Sequence, residues 1–339
     1  MKRYLIIFAA LVGLMLSAAF VASCWFEPIN GDLTRIGNYS ERDFGWTAEQ
    51  PVVAVHANGS AVVAPNVMVL GDSFSVGNVW QSALATETGL RTQSFAYLQN
   101  ECIGAWVEKA AHDPTAQMVV IESVERIVIR RFKDVTSCSA PTITAWEGAP
   151  TETAPQRARW LLRNLHVWHT AVVAWNTLRA LRQPWATITQ NDVVNAPIRS
   201  GCGKFSHREQ GRFLYLTEDD EKWGWTPDQV ATAVASVARL QAMVEGQGKR
   251  FVFVLVPDKS TVYRPCLSLP EKVRNTTPPD VFAAMVAGGI HGPDVLSALR
   301  LASLTVIDVY DPNNTHLSTQ GYQVLARSVQ PLVVAKPGG

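Results

Sequence analysis

Asn66-Val67-Met68-Val69-Leu70-Gly71-Asp72-Ser73-Phe74-Ser75 decides how this chain is read. Val67–Leu70 is a continuous apolar run of strand length, suited to a strand buried on both faces. The segment from Val76 to about Thr86 reads as a helix. Ser73 therefore sits on a sharp strand-to-helix turn, at the carboxyl edge of a sheet and beside the open N–H groups of a helix start. Such groups hold the oxyanion of an acyl-transfer intermediate, with Gly71 allowing close backbone approach. A hydroxyl is a weak nucleophile and needs a general base. Asn314-Thr315-His316-Leu317-Ser318, again just before a helical pattern, supplies one near the far end. Gly-Asp-Ser is also an ordinary turn in which Asp72 or Ser73 caps the next helix. The apolar strand before it and the distant histidine favour catalysis.

His316 as base requires a group that fixes its tautomer, normally a carboxylate. Positions 313 and 314 are both asparagine. Asp311 on the same loop is the first candidate for that carboxylate and Asp308 the second. The oxyanion hole combines the Ser73 N–H with the loop after the second strand, where Asn100 is a donor and Gly104 allows close approach. Arg126, just beyond the third strand, is placed to hold a substrate acid or a developing oxyanion. Lys259 and Tyr263, leaving the fourth strand, are expected in the wall of the site. Eleven tryptophans is a high count. Aromatic faces stack on sugar rings, and Trp80, directly after the serine turn, is the best-placed candidate.

The surrounding pattern alternates. Strands are expected at Val67–Leu70, Thr92–Tyr97, Gln117–Glu122, Arg250–Val256 and Ser303–Val309. Helices are expected at Glu101–Ala111, Pro227–Glu245, Pro293–Leu301 and Gly321–Val333. Alternation of this kind implies an α/β fold, a mostly parallel sheet covered on both sides. Ligands bind beyond the carboxyl ends of such strands. From about residue 140 to 225 the alternation breaks. Gln156–Gln183 has helical spacing rich in Trp and Leu, read mainly as packing surface, and Asn191–Trp225 reads as irregular and polar. This stretch is expected to be a helical and loop insertion.

The chain has 339 residues, 47% hydrophobic and 17% charged, with a net charge of +1. The length permits a substantial core, and the charge balance gives no footprint for nucleic acid. Met1-Lys2-Arg3 precedes an uncharged apolar stretch from Tyr4 to Phe26. Basic residues before an apolar run orient the body of the protein across the membrane. Two readings stand: an uncleaved helical anchor, or a lipoprotein signal in which Val21-Ala22-Ser23-Cys24 is a lipobox and Cys24 is lipidated. Both place the chain from about Glu27 onward outside the cytoplasm. Residues 27–65, with Tyr39, Phe44 and Trp46 among turn formers, read as an ordered arm, and 66–339 as the main domain. Beyond Cys24, four cysteines remain, an even number in an oxidising compartment. Of three possible pairings, Cys102–Cys138 with Cys202–Cys266 is the most local. No Cys/His cluster has ligand spacing, so no metal or cofactor is expected.

Gly71-Asp72-Ser73-Phe74-Ser75 with the late His316-Leu317-Ser318 resembles the SGNH (GDSL-like) hydrolase superfamily, which implies a three-layer α/β/α sandwich, flavodoxin-like in its sheet. Glu125-Arg126, Pro257-Asp258-Lys259 to Tyr263, and Asn314-Thr315-His316 look more like the extracytoplasmic alginate-type polysaccharide O-acetyltransferases. That family carries an Asp-x-His-Trp element, for which this chain has Asn314-Thr315-His316-Leu317. Its serine follows the histidine in sequence, the reverse of the order here. The resemblance implies serine-dependent acetyl transfer, or ester hydrolysis, on O-acetyl groups of an extracytoplasmic polysaccharide. The expected acetyl source is a membrane-bound acyltransferase. The alternative is a non-catalytic carbohydrate-binding or assembly subunit, which the asparagines at 313 and 314 motivate.

Overall fold

The computed structural model describes residues 2–25, 31–55, 65–97, 103–135, 167–268 and 277–334. Its first helix, α1, is Lys2–Trp25, and two short helices follow, α2 (Asp32–Gly37) and α3 (Glu41–Phe44). Next come β1 (Val67–Gly71), α4 (Ser73–Val76), α5 (Val79–Thr88), β2 (Thr92–Ala96), α6 (Ile103–His112), β3 (Met118–Val124) and α7 (Glu125–Arg131). The middle of the chain forms α8 (Val167–Arg182), β4 (Ile188–Gln190), β5 (Val193–Pro197), β6 (Arg212–Leu216) and a 3-10 helix, Thr217–Gly224. The last part holds α9 (Pro227–Glu245), β7 (Arg250–Val256), α10 (Lys259–Tyr263), α11 (Val281–Ala287), α12 (Val295–Ser303) and α13 (Thr319–Val334).

The main sheet has four parallel strands in the order β2-β1-β3-β7. Side chains alternate across a strand, so the continuous apolar runs feed two cores. Val67, Val69, Val120, Val252 and Val254 face one, with Trp80 and Leu84 of α5, Leu299 of α12, and Leu325 and Val329 of α13. Met68, Leu70, Ile121, Phe251 and Phe253 face the other, with Val107 of α6, Val128 of α7, Val237 and Leu240 of α9, and Met285 of α11. This is the α/β sandwich expected. Because all strands are parallel, Gly71, Ala96, Val124 and Val256 end at one rim, with β1 and β3 central.

The strand expected at Ser303–Val309 is absent. α12 runs through Ser303, a turn follows, and Leu304 and Ile307 are exposed. Asp308 takes a left-handed conformation (φ 55°) that breaks extended structure, and only Tyr310 bridges back, to Leu317. The stretch read as irregular contains a three-stranded antiparallel sheet, β4-β5-β6. Its first hairpin turns on Asn191-Asp192, both left-handed (φ 46° and 65°), a two-residue turn suited to strand twist. One face of this sheet joins the first core through Val194, Ala196 and Phe213. Leu33, Tyr39 and Phe44 of the arm cover the other against Val193 and Leu214.

On α8 the expected packing stripe is partly reversed. Trp175, Leu178 and Leu181 are exposed, while Asn176 is buried and donates to the carbonyls of Gly37 and Asn38. A disulfide joins Cys202 to Cys266, with Cα atoms 5.3 Å apart. The Cys102–Cys138 expectation lies outside the described residues. α1 has 24 residues. Among the residues described with their side chains, no helix is long and apolar enough to cross a membrane. Those side chains leave out residues 19–25, and with them Cys24.

Candidate active site

The serine turn is built around two buried carboxyl groups. Asp72 Oδ1 accepts the Phe74 N–H at 3.1 Å, while Oδ2 accepts the Val124 N–H at 2.9 Å and Arg131 at 2.7 Å. One side chain thus caps α4 and ties the end of β1 to the end of β3. Beneath it, Glu122 Oε2 accepts the Asp72 N–H at 3.0 Å and the Ser75 hydroxyl at 2.8 Å. Burial, then the Asp72 charge, push the Glu122 carboxyl well above the usual carboxylate range. Gly71 is required here, because a Cβ would collide with Ser75 Oγ and Glu122 Oε2. Arg131 also lies over the Tyr97 ring, 4.4 Å from its centroid. Ser73 stays exposed on this rigid base. Neither its hydroxyl nor its N–H has a hydrogen-bond partner among the described residues.

Across the rim, the Phe74 ring meets the His316 ring at 4.8 Å between centroids. The two loops expected to meet therefore do so through the residue after the serine. No hydrogen bond joins Ser73 to His316 among the described residues. His316 Nδ1 lies 2.8 Å from Asn314 Oδ1, 3.2 Å from Thr315 Oγ1 and 3.7 Å from Asp32 Oδ2. Asn314 Oδ1 also accepts the His316 N–H at 3.1 Å, which fixes its oxygen toward the ring. Nδ1 faces acceptors and carries the proton, leaving Nε2 as the basic nitrogen. Burial lowers the imidazole pKa below its ordinary value, with the Asp32 charge opposing and Arg126 adding to the drop. A neutral ring with Nε2 bare is the form a general base needs.

The histidine loop is held from below. Lys259 Nζ donates to the carbonyls of Asp311 (2.9 Å), Pro312 (2.8 Å) and Asn314 (3.2 Å). It is buried, and burial brings its pKa down to about 7 against the pull of Asp32 and Asp311. The preceding residue, Asp258, accepts from Arg126 at 2.9 Å and from Lys222 at 2.8 Å. Glu125 accepts the Asp258 N–H at 2.9 Å and lies 3.2 Å from Lys222. Asp219, 3.7 Å from Arg126, has its carboxyl pushed up to about 8, first by burial and then by Asp258.

Several residues expected at the site have other work. Asp311 makes no hydrogen bond to the imidazole; burial raises its carboxyl to about 7. Asp308 accepts from the Ser206 N–H at 2.8 Å and from the Ser206 hydroxyl. Arg126 is consumed by Asp258, Asp219 and Glu218, so it is not a free anion clamp. Lys259 holds the loop backbone and does not line a wall. Tyr263 is fully buried against Phe205 (4.7 Å) and Phe213 (5.3 Å). Trp80 is fully buried, with Nε1 3.3 Å from Ser75 Oγ. Gly104 is buried in the first turn of α6, and Asn100 lies outside the described residues.

Sequence reasoning missed Asp32. Its Oδ1 accepts the Thr315 N–H at 2.8 Å, and its Oδ2 accepts the Thr315 hydroxyl. No pattern in the arm marked it; the missing carboxylate at 313 and 314 was the available signal. A cleft of about 650 Å³, walled by Tyr215, Trp223, Thr261, Arg264 and Phe282, includes neither Ser73 nor His316.

The parallel sheet with its serine turn and histidine loop at one rim defines an SGNH-like sandwich. Residues 210–338 match the family model described as an SGNH hydrolase-like domain of the acetyltransferase AlgX. The matched segment includes Pro257-Asp258-Lys259 and the His316 loop, and excludes Ser73 and Asp32. No curated protein and no solved structure matches the chain.

Proposed function

We propose that the protein is a serine-dependent acyl-transfer enzyme acting on O-acetyl groups of an extracytoplasmic polysaccharide. The Ser73 oxygen attacks the acetyl carbonyl of a donor ester as its proton passes to His316 Nε2. The Ser73 N–H, open among the described residues, stabilises the oxyanion. The intermediate collapses with return of that proton to the departing alcohol, leaving acetyl-Ser73. A sugar hydroxyl, or water, then gives its proton to Nε2 and takes the acetyl group, and that proton returns to the departing Ser73 oxygen. The observation that carries this reading is the Phe74–His316 contact, which brings an exposed serine turn and a tautomer-fixed histidine to one rim. The family match supports acetyl chemistry on a glycan.

On this reading α1 is an envelope anchor, either a spanning helix or a signal ending in a lipidated Cys24. Six residues lie between Trp25 and Asp32, seven chain steps with a reach of at most about 25 Å. The site therefore stays near the membrane face, where a membrane-bound acyltransferase presents acetyl groups. A non-catalytic, glycan-binding role is favoured by one observation: Ser73 and His316 share no hydrogen bond. Hydrolysis of p-nitrophenyl acetate decides between them. Turnover lost in Ser73→Ala supports the enzyme; glycan binding without Ser73-dependent turnover supports the binding subunit.

A further inference from the structure

We infer that Asp32, carried by the N-terminal arm, is the carboxylate that positions and polarises His316, replacing the acid absent from the histidine's own loop. The inference rests on the acyl-transfer reading and adds a residue no motif contains. At positions 313 and 314, where SGNH-type loops would carry the acid, this chain has two amides. Asn313 is turned away: its Nδ2 donates to Glu41 Oε2 at 2.7 Å. Asn314 reaches Nδ1, but an amide oxygen stabilises an imidazolium less than a carboxylate does. Among the described residues, the carboxylate nearest to Nδ1 is Asp32, at 3.7 Å.

The arm is built to deliver that charge. Asp32 opens α2, and both its oxygens grip Thr315, the residue before the histidine. The Leu33 N–H donates to Asn313 O at 3.1 Å. Glu41 then locks the start of the arm, accepting the Gly31 N–H at 2.8 Å and the Thr34 hydroxyl. A Cβ on Gly31 would strike the Asn313 backbone, so the arm and loop are in direct backbone contact. Leu33, fully buried against the β5–β6 sheet, makes this docking part of the core. The charges facing His316 come from three elements: Asp32 on α2, Asp72 at the serine turn and Arg126 on α7. Asp32 is the only one of the three adjacent to Nδ1 in the ion-pair geometry.

The test compares wild type, D32N, D32E and N314A in the full chain. The His316 imidazole is titrated by NMR, assigned with H316Q, alongside the pH profile of p-nitrophenyl acetate hydrolysis. D32N removes the charge and keeps one of the two acceptors that hold Thr315. Its His316 midpoint is expected to fall by about one pH unit, and its plateau kcat by about 10- to 100-fold. The acid limb of the rate profile moves to lower pH with the midpoint. D32E, which keeps the charge, recovers part of both effects, and carries the comparison if D32N does not fold. An unchanged midpoint and kcat in D32N, with loss confined to N314A, overturns the inference. If wild type shows no Ser73-dependent turnover, the acyl-transfer reading fails, yet the NMR midpoint still reports whether Asp32 acts on His316.

Discussion

The ring of Phe74 lies 4.8 Å from the ring of His316, so the side chain next to the candidate nucleophile is the floor on which the candidate base rests. Residues 242 positions apart in sequence meet because β1 ends at the rim where the histidine loop is pinned.

The pin is Lys259. Replacing it by methionine keeps the stem and removes three hydrogen bonds to the 311–314 backbone. Bonds to a charged group are worth about 1.5–3 kcal/mol each, and the orphaned carbonyls partly re-solvate, so Lys259→Met is expected to lose about 3 kcal/mol. Urea denaturation reads that loss. In the folded fraction kcat falls while KM changes little, because the base is displaced and not the substrate pocket. A folded variant with wild-type kcat would remove Lys259 from the account.

Asp258 neutralises two buried cations at once, Arg126 and Lys222. Breaking a buried pair by removing one partner costs about 3–5 kcal/mol where the other charge is left uncompensated; Asp219 and Glu218 still face Arg126, and Glu125 still faces Lys222, so the lower end applies here. Asp258→Asn is expected to lower stability by that order, read by chemical denaturation. A change under about 1 kcal/mol would mean water reaches the cluster.

His207 makes the fold sensitive to acid. Nε2 faces the carbonyls of Glu209 (2.9 Å) and Arg212 (3.1 Å), while the buried Nδ1 has no partner among the described residues. Protonation would bury an N–H without an acceptor, and burial brings the pKa down to about 4. Because the folded value lies below the unfolded one, the unfolded chain binds more protons between about pH 6.5 and 4. Stability is full above that window and falls through it, by about 3 kcal/mol from this group. His207→Gln keeps a donor but does not titrate, so the wild-type minus variant difference in urea midpoint should fall as pH drops. A flat difference contradicts this.

The Cys202–Cys266 bond closes a separation of 64 residues. Loop-closure entropy for that length is about 4 kcal/mol. Reduction, or Cys266→Ser, should lower the denaturation midpoint with little effect on the Ser73 turn, which is held separately by Glu122, the Val124 N–H and Arg131. Loss of catalysis at full stability would contradict that separation.

The sandwich was legible because buried parallel strands have no polar face: β1, β3 and β7 read as unbroken apolar runs. Ser73 and His316 stood out as candidates because each sits at a strand end or helix start with few other reasons to be there. What sequence hid was long-range. Asp32 looks like any helix-opening residue until the arm folds over position 315. Lys259, Arg126 and Tyr263 were placed at the right edge but read as site-wall or anion-holding groups, since a pattern does not show which cations are consumed by buried acids or which ring is buried. The β4–β6 sheet was missed because its strands are three to five residues long, and its one clear signal, Asn191-Asp192, was read as irregular. Ser303–Val309 failed in the opposite way: apolar residues that face solvent mimicked a strand.

The central claim is that Ser73 is the nucleophile. Incubation with p-nitrophenyl acetate followed by acid quench and peptide mass spectrometry tests it directly. The account predicts an acetyl group on the peptide carrying Ser73, absent in Ser73→Ala and strongly reduced in His316→Ala. Turnover with no adduct at Ser73, or an adduct that persists unchanged without His316, would contradict it.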